Sequence, residues 1–171
     1  MKEQRHNVTI FTDASFCHDT KAAGGAFWAR DNVHKTQGSF RIGIASQAHE
    51  AELLASCRAI VECIKHEQIG EQLRTGKARL ILVIDCLFVK QALEWREGRK
   101  PRMSEELWPK LVRVKDLIKR SGFELKINHV KAHSGTRKPR TWVNNWCDKQ
   151  AKLEMGKLRQ ERWLNKQGRN L

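Results

Sequence analysis

The sequence predicts an α/β fold: a five-stranded mixed sheet flanked by helices. Three observations carry this. Three strand-like segments follow one another at the start of the chain with only short spacers between them. A nearly all-apolar run, Arg79 to Asp85, has the composition of a parallel strand covered on both faces. From residue 47 onward, segments of helical period alternate with strands, which is the order that packs helices against a sheet.

The first strand spans residues 7–16, "NVTIFTDASF". "AAGGAFWAR" (Ala22–Arg30) is a second, entered through glycines. "HKTQGSFRIG" (His34–Gly43) alternates polar and apolar positions, as an antiparallel edge strand does. The spacers "CHDTK" and "DNV" suit hairpins. A helix follows from about Gln47 to Glu67, with Leu54, Cys57, Val61 and Ile64 recurring at the helical period. After the apolar strand, "CLFVKQALEW" is helical and stops near "REGRKPR". Ser104 then precedes a helix striped by Leu107, Leu111, Val114 and Ile118, with Pro109 in or near its first turn. "FELKINHV" alternates as a strand, "KAHSGTRKPRT" is a basic loop, and a last helix starts at Trp142. Gly156 is a point where that helix can break, and the tail beyond it either extends the helix or forms an appendage. The expected order is β-β-β-α-β-α-α-β-α. The domain boundaries that follow are residues 1–156 for the sheet-and-helix domain and 157–171 for a basic extension that can be helical.

At 171 residues the chain is one domain with at most an extension. The N-terminus has no apolar signal-like core, and the longest apolar runs are too short to span a bilayer, so the expected location is cytoplasmic. Five cysteines without a CxxC pair read as reduced thiols. The 33 Lys and Arg residues outnumber 19 acids, giving net charge +14. That balance favours a polyanionic partner, nucleic acid before an acidic membrane. Cations concentrate at Lys131–Arg140 and over 149–171.

Against this basic background four acids stand out. Asp13 interrupts the first strand, Asp85 ends the apolar one, Glu52 lies in the first long helix and Asp148 early in the last. A carboxylate inside an apolar strand costs several kcal/mol, about 2–7 without a compensating partner. Taken singly, each acid has an ordinary explanation as a strand end or an exposed helix position. If the strands of Asp13 and Asp85 are neighbours, however, the acids share one end of the sheet and need cations. Mg²⁺ fits, because hard divalent ions take oxygen ligands. Such a cluster suits two-metal phosphodiester hydrolysis, with ions about 4 Å apart activating water and steadying the leaving oxygen.

"IFTDAS", "AGGAF", "AELLA", "ILVIDCLFV", and "VKAHSG" followed by "NNWCDKQA" occur in this order over residues 7–153, and with them the sequence resembles the ribonuclease H type 1 family. The resemblance implies a ribonuclease H-like fold and Mg²⁺-dependent cleavage of the RNA strand of RNA–DNA hybrids. Two ions are expected, and Mn²⁺ can substitute. Asp13, Glu52, Asp85 and Asp148 match the metal-binding catalytic carboxylates, His133 the histidine that assists proton transfer or product release, and Asn144 the asparagine before the last aspartate. Ser15, His49, Lys131, Arg137, Lys138, Arg140, Asn144 and Trp163 are the candidate nucleic-acid contacts. No membrane and no obligate protein partner is implied, and a monomer is expected.

The chain also departs from the family. Ala14 replaces the usual glycine. Ala48 and His49 stand where an asparagine pair is common, and Leu87 where a glutamine is. The loop from His133 to Asp148 is longer, and the basic protrusion is shortened to "REGRKPR". These changes touch substrate reading and leave the carboxylates in place. Two rivals remain at this stage: a nuclease of the same fold acting on DNA or double-stranded RNA, and a non-catalytic nucleic-acid-binding module. A pure binder gains nothing from clustered acids facing a polyanion.

Overall fold

The computed structural model describes residues 6–131 and 139–168. The sheet contains β1 (His6–Phe16), β2 (Ala22–Arg30), β3 (Lys35–Ile44), β4 (Ala78–Ile84) and β5 (Glu124–His129), in the spatial order β3-β2-β1-β4-β5. The β1–β2 and β2–β3 pairs are antiparallel, whereas β1–β4 and β4–β5 are parallel. The helices are α1 (Ala48–Lys65), α2 (Glu67–Arg74), α3 (Leu87–Glu94), α4 (Leu107–Ser121) and α5 (Pro139–Gly168). The expected five-stranded mixed sheet is present, with β3 at the antiparallel edge. Pro109 falls in the first turn of α4, and Gly122 ends that helix at φ +72°, a left-handed cap that favours glycine.

Period-two alternation divides the strands between two apolar layers. Val8 and Ile10 of β1 join Leu80 and Leu82 of β4 in the larger core, under α1, α2, α3 and α4. Phe11, Trp28 and Val83 point to the opposite face and pack on Val143, Cys147 and Ala151 of α5. The adjacent glycines of β2 serve one layer each. A Cβ on Gly25 would meet Phe40, and one on Gly24 would lie 2.3 Å from the Met155 backbone nitrogen and 2.4 Å from the Ala151 carbonyl oxygen. The α5 backbone therefore rests directly on Gly24, which fixes the height of the helix over the sheet.

Three expectations need correction. The helix begun near Gln47 ends at Lys65, and a separate α2 follows. The last helix starts at Pro139, so part of the segment read as a basic loop is helical and Asp148 lies in the helix's third turn. Gly156 does not interrupt α5, which runs unbroken to Gly168. No helix among the described residues is long and apolar enough to cross a membrane.

Candidate active site

The parallel pairing of β1 with β4 aligns Phe11 with Val83. Two residues beyond come Asp13, on the same face of β1 as Phe11, and Asp85, just past the end of β4. At that point β4 has ended, while β1 continues to Phe16 against β2 alone. The edge of β1 thereby opens, and α1 approaches it from the other layer. The buried hydroxyls of Thr12 and Ser56 are 3.0 Å apart, tying α1 to β1 one turn beyond Glu52. Carboxylate oxygens of Asp13, Glu52 and Asp85 consequently lie within 4.8 Å of one another. Asp13 and Glu52 are half-buried, and Asp85 is exposed at the solvent side.

Asp13 and Glu52 hold their protons more tightly than ordinary carboxyls do. Burial first, then the charges of Asp85 and Asp148, pushes the Asp13 carboxyl up to about 7, while the Ala14 amide, 2.9 Å from the carboxylate, opposes the rise. Burial and the charges of Asp13 and Asp85 push Glu52 up to about 9. Without a cation the cluster retains protons near neutrality, which is how converging carboxylates relieve mutual repulsion. Hard oxygen donors in this number fit a divalent cation of the Mg²⁺ or Mn²⁺ kind. Asp148, from α5, is close enough to raise the Asp13 value, and its own half-exposed carboxylate pairs with Lys152 at 2.8 Å. The structure thus gathers three of the four expected carboxylates tightly and sets the fourth at the rim.

The remaining candidates are distributed around this centre. Ser15 lies two residues beyond Asp13 on β1, paired with Gly24 of β2. His49, one turn before Glu52, stacks edge-on against Phe88 with ring centroids 4.4 Å apart. Lys131 and Asn144 are exposed, as is Trp163 on the distant part of α5. His133, Arg137 and Lys138, and the side chain of Arg140, lie outside the described residues. Cys147 packs below the site with its thiol pushed up to about 12 by burial, so it is an inert core residue. All five cysteines are free.

Three supporting residues were not anticipated. His129, at the end of β5, places Nε2 3.0 Å from the Asp85 carbonyl oxygen and so braces the turn that presents Asp85. Glu50, only 2% exposed, accepts from the Ser104 amide at 2.6 Å, the Ser104 hydroxyl at 3.2 Å and the Ser46 amide at 3.3 Å. It fastens the start of α1 to the segment that precedes α4. The third is Lys152, whose i,i+4 spacing from Asp148 is visible in the sequence. The partners of His129 and Glu50 are distant in sequence, so no local pattern announces them.

The RNase H family model matches residues 5–155. A search of the curated proteins returns no match. Among solved structures, RNase H1 from the halophilic archaeon Halobacterium salinarum NRC-1 is 20% identical with a TM-score of 0.60, covering 88% of this chain and 98% of that one. The N-terminal RNase H domain of a Mycobacterium tuberculosis protein is 16% identical with a TM-score of 0.59, covering 92% and 99%. LC11-RNase H1, a compost metagenome protein, solved in complex with an RNA/DNA hybrid, is 20% identical with a TM-score of 0.54, covering 83% and 97%. At these identities the structures establish a shared RNase H-like fold, and the family model, spanning most of the chain, establishes that this protein belongs to the RNase H family of ribonucleases.

Proposed function

We propose that the protein hydrolyses the RNA strand of RNA–DNA hybrids with two Mg²⁺ ions, Mn²⁺ serving as a substitute. The observation that carries this reading is the convergence of Asp13, Glu52 and Asp85 within 4.8 Å at one sheet end, in a chain of net charge +14. Asp13, Glu52, Asp85 and Asp148 hold the ions. The ions, when bound, supply the activated water and stabilise the departing oxygen. Asp13 lies at the centre of the donor set and is the ligand suited to be shared. The Thr12–Ser56 and His129–Asp85 contacts keep the donors in position. Ser15, His49, Lys131, Arg137, Lys138, Arg140 and Asn144 contact the substrate, and His133 assists proton transfer or product release. LC11-RNase H1, whose fold this chain shares, is described with an RNA/DNA hybrid bound, which supports the choice of duplex. The protein acts as a cytoplasmic monomer.

The test is a cleavage panel of RNA–DNA, RNA–RNA and DNA–DNA duplexes with Mg²⁺, Mn²⁺ or chelator. Hybrid cleavage should require a divalent ion and be abolished in Asp13→Asn with the fold preserved. Full activity in Asp13→Asn would refute the metal-site assignment, and cleavage confined to DNA–DNA or RNA–RNA would refute the substrate.

A further inference from the structure

The last helix packs on one face of the sheet and runs across it. Beyond Asp148 it crosses β2 and β3: Glu154 accepts from the Ser39 hydroxyl at 3.2 Å, and Glu161 pairs with Arg41 of β3 at 2.7 Å. Glu161 is the last α5 residue, among those described, with an ion pair to the sheet, and the helix continues to Gly168 past it.

Beyond Asp148, one flank of this helix carries cations and no acid. Asp148, Lys152, Arg159, Trp163 and Lys166 are spaced i, i+4, i+11, i+15 and i+18, so they fall on one flank of a helix with 3.6 residues per turn. The acids Glu154 and Glu161 sit on the opposite flank, each already satisfied, Glu154 by Lys157 at 2.9 Å and Glu161 by Arg41. Among the described residues no acid pairs with Arg159 or Lys166, and both are exposed. Trp163 is 55% exposed. The neighbouring Arg162 has its Nη1 shielded from solvent without an acceptor among the described residues. The only break in the row is Met155–Gly156, and a side chain on Gly156 would meet nothing within 4 Å, so the helix backbone is bare there.

We propose that this flank of α5, through Arg159, Trp163 and Lys166, is a track that holds the phosphate backbone of the substrate's flank after it leaves the carboxylates, with Lys152 between them paired to Asp148. The inference rests on the nucleic-acid reading of the site and specifies how far the footprint extends. Trp163 lies fifteen positions beyond Asp148, about 22 Å at 1.5 Å per residue. At about 3.4 Å per nucleotide of one strand, that distance corresponds to roughly six nucleotides. A row of cations with one flat aromatic at its end fits a nucleic-acid strand, since the cations neutralise phosphates and the indole covers a base or sugar. Continuity with the catalytic aspartate favours this partner over an anionic membrane, for which the row would have to lie flat, away from the site.

The test uses hybrids of fixed cleavage site, lengthened stepwise at one end or the other, with the full chain and with Arg159→Ala/Lys166→Ala. The wild type should show KM falling once the duplex extends about six base pairs beyond the scissile position at one end. In the double variant that fall should vanish, KM for long hybrids should rise about tenfold, and the slope of log affinity against log salt should become shallower by about 1.8, or 0.9 per phosphate contact. A KM independent of length in the wild type, or the same length dependence in the variant, would overturn the proposal. So would a variant that loses only its binding to phosphatidylserine vesicles, which would assign the row to membranes. Fluorescence anisotropy with labelled hybrids in the Asp13→Asn background reads the same length dependence without turnover. Failure of the wild type to cleave any hybrid would therefore strike the hydrolase reading and leave the track to be judged by binding.

Discussion

Asp13 is unusual because its environment works against its charge: a strand interior and three neighbouring acids, Glu52, Asp85 and Asp148, against the Ala14 amide and the Lys152 charge. With Asp13 at about 7 and Glu52 at about 9, both groups bind protons more tightly in the folded protein than in the unfolded chain. For carboxyls whose values are raised, the favourable contribution is complete below the unfolded values near 4 and is lost as pH rises through the folded ones. The metal-free protein should therefore lose thermal stability between about pH 4 and pH 9. Added Mg²⁺ should restore more of the midpoint at pH 9 than at pH 6, because fewer protons have to be displaced. Glu52→Gln should flatten the pH dependence of the metal-free midpoint. Thermal melts in chelator across this range are the measurement, and an unchanged slope in Glu52→Gln would show that the cluster is not what the protein titrates.

At the scale of elements, what the sequence made legible and what it hid have separate physical causes. The strands were readable because burial on two faces forces an apolar run on β4, whereas exposure of one face allows alternation on edge strand β3. Asp13 and Asp85 were readable because a carboxylate contradicts such a run. The missed α2 has little local signal: it is polar, eight residues long and contains Gly70. Its order comes from packing, since a Cβ on Gly70 would lie 2.2 Å from the Ile64 carbonyl oxygen, and helices this short draw their stability from tertiary contact. Gly156 misled in the opposite direction. Glycine inside a helix signals a break, but Ala151 and Glu154 already bind α5 to the sheet on one side of it and Glu161 on the other. The helix spans its weak point because both sides are anchored. Gly156 lacks the positive φ that would demand glycine, and nothing lies within 4 Å of its would-be Cβ. Gly156→Ala should therefore stabilise the protein by about 0.5–1 kcal/mol, the helix-propensity difference between the two residues. Urea denaturation would check this, and a destabilised variant would show that the backbone at residue 156 departs from a regular helix.

Across the whole molecule, the arrangement separates chemistry from recognition, and the two were legible to different degrees. The carboxylate cluster follows from strand register. Discrimination between duplexes is expected to depend on which side chains line the approach, where this chain carries Ala48, His49 and Leu87. A hybrid differs from DNA by its 2′-hydroxyls, which polar side chains read in a wide minor groove. Ala48 offers no such group, and Leu87, 52% exposed at the start of α3 beside Asp85, presents an apolar side chain to solvent. His49 retains polar atoms, with its ring braced against Phe88. A neutral hydrogen bond contributes about 0.5–1.5 kcal/mol net, so two absent contacts should weaken hybrid preference by about one to two orders of magnitude. The net charge of +14 should compensate affinity but not selectivity, because phosphate contacts position a protein without distinguishing one duplex from another. Unlabelled RNA–RNA and DNA–DNA duplexes should therefore compete measurably against a labelled hybrid at fixed salt, and competition should weaken steeply as salt rises. If neither competes at about a thousandfold excess, well beyond the preference lost with two hydrogen bonds, then backbone amides or residues elsewhere in the chain read the 2′-hydroxyls.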